Sequence, residues 1–104
     1  MGLDDDAARE VLARFCRALE ASRWDEGHAL LSSRWREAYT PARLAADRAG
    51  AGPAAGEAAS RALAAAEAGA PVAREGPRAL LSVGPGRAAV LVAEGGGWRV
   101  DALE

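Results

Sequence analysis

Between Ala8 and Leu19 the apolar residues fall at steps of three and four: Ala8, Val11, Leu12, Phe15, Cys16 and Leu19. That period lays one apolar stripe along an α-helix, leaves Arg9, Glu10, Arg14, Arg17 and Glu20 mostly outside it, and predicts a helix over residues 6–22. Asp4, Asp5 and Asp6 open this element, where carboxylates accept from free N–H groups and favour the positive end of the helix dipole. Ser22 can cap a second, short helix over 24–31, with Trp24, His28 and Leu31 on one face. Gly27 weakens that helix by about 1 kcal/mol relative to Ala. Ser32 or Ser33 then starts a short turn carrying Trp35 and Tyr39. Thr40-Pro41 joins a capping hydroxyl to a proline at the first helical position, so the next helix runs through Leu44 to near Gly50. Residues 49–56 are nearly all Ala and Gly around Pro53 and read as a loop or slack connection. Residues 57–68 favour helix on propensity, but Leu63 is their only large apolar side chain, so they are expected to pack weakly.

Beyond Gly69 the pattern changes. Short valine-bearing segments at 71–75, 78–83, 87–94 and 98–103 are separated by Gly76-Pro77, Gly84-Pro85-Gly86 and Gly95-Gly96-Gly97, the punctuation of a β-meander. The last segment alternates, Trp98 and Val100 inward and Arg99 and Asp101 outward. The third is apolar on both sides, with Ala88, Val90 and Val92 on one face and Ala89, Leu91 and Ala93 on the other. Such a strand wants cover on both faces. Helices can supply one layer, and a second subunit is expected to supply the other through Ala89, Leu91 and Ala93. The expected fold class is therefore α+β: residues 1–104 form a single domain whose N-terminal helices, three or four in number, pack on a C-terminal four-stranded antiparallel meander.

Composition refines this picture. At 104 residues the chain is one domain's worth, and it buries roughly 65% of the surface its unfolded form exposes. Half the residues are hydrophobic, but 28 of them are alanine. At about 25 cal/mol per Å² a methyl contributes far less than a leucine side chain. The core must come from the leucines and valines, Phe15, Trp24, Trp35 and Trp98. All thirteen basic residues are arginine, and Lys, Asn, Gln and Ile are absent, the mark of a GC-rich bacterial coding bias. A net charge of −2 and a pI near 5.4 argue against nucleic acid as a partner. A lone cysteine allows no intrachain disulfide, and no apolar run approaches the ~20 residues of a membrane span. No basic stretch leads into an apolar run of the signal-peptide kind, so the cytoplasm is the default expectation, with an extracytoplasmic location left open if a leader is removed.

Candidate chemistry is sparse. Gly84-Pro85-Gly86-Arg87-Ala88-Ala89 spells a dinucleotide-type glycine pattern, but the strand-like Val90-Leu91-Val92 follows it where a helix N-terminus would have to hold a pyrophosphate, so a hairpin turn is the reading. Gly50, Gly52 and Gly56 read as loop for want of a preceding strand. His28 is the only histidine, which leaves no His-based metal set, and no metal or organic cofactor is expected. Asp25 and His28, at i and i+3, could share a helix face and pass a proton. Cys16 lies on the apolar stripe and reads as an inert small hydrophobe. Trp35 and Tyr39, an i, i+4 aromatic pair, either close the core or line a pocket. Asp101 reads as a solvated strand residue.

Three stretches carry a family resemblance: Arg23-Trp24-Asp25-Glu26-Gly27-His28-Ala29-Leu30-Leu31-Ser32, then Arg34-Trp35-Arg36 with Tyr39-Thr40-Pro41, and the terminal Gly97-Trp98-Arg99-Val100-Asp101. With the order of elements, covering roughly the first 48 and last 35 residues, they make the chain resemble the nuclear transport factor 2-like superfamily. The resemblance implies a cone-shaped α+β roll, here shortened. It also implies a range of activities: ketosteroid isomerase-like and dehydratase-like enzymes, polyketide cyclases, ligand-binding proteins and dimerisation domains. Enzymes of that kind bring acidic, Tyr or His side chains into the cone. Here Asp25, His28 and Tyr39 are the only polar candidates for such catalytic places.

Two functions are therefore expected in order. The first is a non-catalytic binding or interaction domain that homodimerises through its sheet. The second is a carrier of a small apolar ligand, or an isomerase- or cyclase-type enzyme, with a small pocket between Trp24, His28, Trp35, Tyr39 and Trp98.

Overall fold

Asp4 starts the first helix, α1 (Asp5–Glu20), by accepting from the Ala7 amide at 2.7 Å, and the acidic Asp5 and Asp6 fill its first turn. The structure, a computed structural model, describes residues 3–51 and 53–103. The stripe read from the sequence is the buried face of α1: Ala8, Leu12, Phe15, Cys16 and Leu19 all lie inside. Ala21 ends the helix and Ser22 takes a left-handed φ of 58°. Ser22 therefore makes the turn between helices. It does not cap α2 (Trp24–Ala29), whose N-cap residue is Arg23 with no side-chain bond.

Among the described residues five helices precede four strands. After α2 come α3 (Ser33–Ala38), α4 (Pro41–Ala51) and α5 (Pro53–Glu67). Thr40 caps α4 through its hydroxyl, which accepts from the Arg43 amide at 3.1 Å. The loop expected over 49–56 is helical on both sides of residue 52, which itself lies outside the described residues. Alanine has the strongest helix propensity, and Pro53 takes the first helical position, where its missing N–H costs nothing. Nor does α5 pack weakly. Ala59, Ala62 and Ala66 form a buried stripe whose small side chains let the helix lie close on α1 and β2. Arg17 to Glu67 at 2.8 Å and Arg9 Nε to the Ala70 carbonyl at 2.8 Å tie α1 to α5 and the turn after it at the rim.

The strands β1 (Val72–Glu75), β2 (Arg78–Gly84), β3 (Arg87–Glu94) and β4 (Gly97–Leu103) form one antiparallel sheet in sequence order. Gly95 and Gly96, at φ 59° and 80°, make the two-residue β3–β4 turn, a geometry only glycine enters at little cost. β4 is the last strand but not a free edge. The Ser32 amide donates to the Val100 carbonyl at 2.8 Å, and the Val100 amide donates to the Leu30 carbonyl at 2.7 Å, so Leu31 runs parallel beside it.

Helices α1 and α5 pack on one face of the sheet. Ala79, Leu81, Ala89, Leu91, Trp98 and Val100 meet α1 and α5 there in a single core. This corrects the expected seam: Ala89 and Leu91 have no exposure at all, and Ala93 packs against the same core. The bare face of β3 is the other one, carrying Ala88, Val90 and Val92. Alternation separates the two faces correctly, but both are apolar, so it cannot say which one the helices cover.

Candidate functional site

Four helices and the end of the sheet leave a gap between them. The result is a cleft of about 500 Å³. Its floor is Phe15 and Leu19 of α1, with Leu31 and Val100. Trp35 and Tyr39 stand at one side, Leu44, Asp47 and Arg48 of α4 at another, and Ala58 and Ala59 of α5 opposite, with Asp101 to Leu103 closing the end of β4.

Trp35 is fixed by its indole N–H, which donates to the Asp101 carbonyl at 2.6 Å, and by the Tyr39 ring 5.6 Å away at 34°. Arg34 lies over the Trp35 ring at 4.9 Å and Arg43 over the Tyr39 ring at 5.4 Å, each favourable as a cation on an aromatic face. The Tyr39 hydroxyl donates to Asp47, and that bond to a carboxylate holds its pKa above the ordinary value. Asp47 also pairs with Arg43 at 3.4 Å.

Asp101, a solvated residue by sequence pattern, is the polar anchor of this end. Its side chain is only 20% exposed. It accepts from Ser32 Oγ at 2.7 Å and from Arg34 at 2.8 and 3.0 Å. The Arg34 bond is the main cause that holds its pKa below the usual carboxylate value, against the opposing effect of burial. A bulge explains the difference. The register slips between Val90 and Leu91 of β3, whose partners are Ala102 and Val100, so Asp101 is an extra, unpaired residue. Beyond the bulge the alternation inverts: Leu103 pairs with the core residue Ala89 and turns to the cleft. Period-two reasoning has no way to see this.

Of the five residues expected to line one pocket, the structure brings only Trp35 and Tyr39 to the cleft. Trp98 is buried near the start of α1, its indole N–H donating to the Asp4 carbonyl at 3.2 Å. Trp24 packs half-buried on the core and lines a separate shallow depression with Asp25 and Pro41. His28 Nε2 approaches the carbonyls of Tyr39 at 2.8 Å and Arg36 at 3.3 Å, so this nitrogen carries the proton and ties α2 to the end of α3. Asp25 is exposed, and no hydrogen bond joins it to His28 among the described residues. The acid–base pair that their spacing suggests is therefore not assembled. Cys16 is wholly buried in the core.

Among the described residues no group of three or more His, Cys, Asp or Glu side chains could hold a metal ion, and no helix is long and apolar enough to cross a membrane. No family model, curated protein or solved structure matches the chain.

Proposed function

We propose that this domain is a non-catalytic binding module that holds one small, largely apolar molecule in the cleft between α1, α3, α4, α5 and β4. The observation that carries the reading is the contrast between the cleft's apolar walls and the engaged state of the acids beside them. Phe15, Leu19, Leu31, Leu44 and Val100 offer hydrocarbon surface, whereas Asp101 and Asp47 are already bonded to Arg34, Ser32, Arg43 and Tyr39. A general acid or base working near neutrality needs its pKa moved toward that range. Here Asp101 is shifted down and Tyr39 up, both away from it. That direction favours binding over isomerase- or cyclase-type catalysis. The order of elements, helices first and meander last, supports kinship with the nuclear transport factor 2-like roll as part of the same proposal.

Fluorescence titration with the neutral probe N-phenyl-1-naphthylamine tests this. The expected result is saturable uptake of one equivalent with a Kd on the order of micromolar. Replacing Ala58, half-buried in the cleft wall, with tryptophan fills the space and abolishes uptake while far-UV circular dichroism is unchanged. Equal uptake by Ala58→Trp, or none by the native chain, overturns the reading.

A further inference from the structure

The bare face of the sheet has an ordered pattern that, Ala102 apart, the cleft does not use. Strand register places Ala73, Leu80, Val90 and Ala102 side by side in one row across all four strands. The adjacent row reads Glu75, Arg78, Val92 and Arg99. Val90 at the centre is 4% exposed yet stands outside the helix-covered core. Among the described residues the side chains of Glu75 and Arg78 make no hydrogen bond or ion pair, although Arg78 is near enough to help lower the pKa of Asp101, and the Arg99 side chain reaches only the Trp98 carbonyl of its own strand. Seven other arginines are paired with carboxylates: Arg9, Arg17, Arg23, Arg34, Arg36, Arg43 and Arg74.

We infer that this face pairs with a second copy of the chain about a two-fold axis running along the strands between β2 and β3. That operation keeps each row at its own height and reverses its order across the sheet. β1 of one copy then lies over β4 of the other, and β2 over β3. Glu75 faces Arg99 of the second copy at both ends of its row, and Leu80 faces Val90. The two small residues, Ala73 and Ala102, oppose each other at the margins and let the sheets approach the usual ~10 Å. Arg78 falls opposite Val92 of the second copy, so the charge complementarity of this isologous contact rests on the two Glu75–Arg99 pairs, which set its orientation.

Size limits its strength. Four strands at about 4.8 Å spacing and about five residues at about 3.4 Å each cover roughly 300 Å² in projection, so the seam buries well below the ~1,200 Å² total of a stable specific contact. The dimer is therefore weak, with a Kd on the order of 100 μM.

Sedimentation equilibrium of the full chain from about 10 μM to 1 mM tests the inference, with circular dichroism as the check on folding. The native chain is expected to dimerise across that range. Glu75→Arg or Arg99→Glu alone sets like charges against each other twice per dimer and weakens association at least tenfold. The double variant restores it to within about threefold of native. Should either reversal unfold the chain, Glu75→Gln and Arg99→Gln carry the same comparison, each single change weakening association. A native chain that stays monomeric at 1 mM overturns the inference and leaves the face to a different partner. So does a dimer whose Kd neither charge change moves, or a double variant no tighter than the weaker single one.

Discussion

Cys16 has no exposure, and burial pushes its thiol pKa up to about 12. The thiolate is the reactive form, so a thiol-specific disulfide reagent is expected to leave the native chain untouched over minutes and to label one equivalent once urea unfolds it. Rapid labelling in buffer would mean that α1 opens far more easily than its packing implies. Gly27, in the next helix, makes the opposite kind of point. Its propensity cost is plain in the sequence, but what surrounds it is not. It sits where α2 crosses α1 and α4, and an added Cβ would meet Leu19 and Leu44 Cδ2 atoms at 3.6 Å, ordinary contact distances. Gly27→Ala is therefore expected to stabilise the domain by about 0.5–1 kcal/mol, through a less flexible unfolded chain and a slightly better packed joint. The check is a rise in the urea midpoint without change in slope. Leu91 marks the limit of single-residue reading. Its apolar character is obvious, yet only the sheet's pairing shows that it lies under α1 and not on the open face.

Among the elements, α3 shows how strand ends position helices. Its N-cap residue, Ser32, spends its hydroxyl on Asp101, and the helix is capped instead by Glu94, whose carboxylate accepts from the Ser33 amide at 2.9 Å. Two acids from β3 and β4 thus fix the helix that presents Trp35 and Tyr39. Nothing local in the sequence announces these bonds, since the partners are 69 and 61 residues apart. The periodic elements, α1 and the four strands, are legible because their own side chains set the pattern. The bulge at Asp101 and the packing of α5 are not, because one depends on a partner strand and the other on how closely alanine lets a helix approach. The two acids also make the fold sensitive to pH. Glu94, bonded to the Ser33 amide, and Asp101, bonded to Arg34, both have folded pKa values below the ordinary ones of 4.5 and 3.8. Each binds fewer protons folded than unfolded, so unfolding takes up protons. Their stabilisation is complete above the ordinary values and is lost as pH falls through the lower, folded ones. The urea midpoint is expected to hold at neutral pH and to drop below about pH 4.5. Asp101→Asn is expected to cost about 1–3 kcal/mol at pH 7 and to flatten that acid limb. An unchanged limb in the variant would assign the acid response to other carboxylates.

Over the whole molecule, the two ends of the chain close the core together. The Val100 amide bonds to Leu30, and the Trp98 indole reaches the Asp4 carbonyl, so β4 cannot leave without opening α1. The cleft is assembled from six separate stretches of chain, which is why the sequence points to Trp35 and Tyr39 but not to Phe15, Leu44 or Leu103 beside them. These stretches are held unequally. α1, α5 and β4 contribute buried side chains, whereas no described side chain of α3 or α4 is fully buried, and of these two α3 is tied to the sheet by Glu94 and Asp101. In α4, Leu44 packs on the core beside Gly27, and Asp47 accepts from the Tyr39 hydroxyl. Local opening free energy tracks such burial, so on the proposed binding function α4 is the wall expected to yield and to admit a molecule to the cleft. Amide hydrogen exchange is expected to show Leu12, Leu91 and Val100 opening only with global unfolding, and the amides of residues 44–50 opening well below that limit. Saturating N-phenyl-1-naphthylamine should then slow exchange at 44–50 by about RT ln(1 + [L]/Kd), while the core amides gain the same increment only through global stability. If α4 already exchanges as slowly as β3, entry by this wall is wrong and the cleft must open elsewhere.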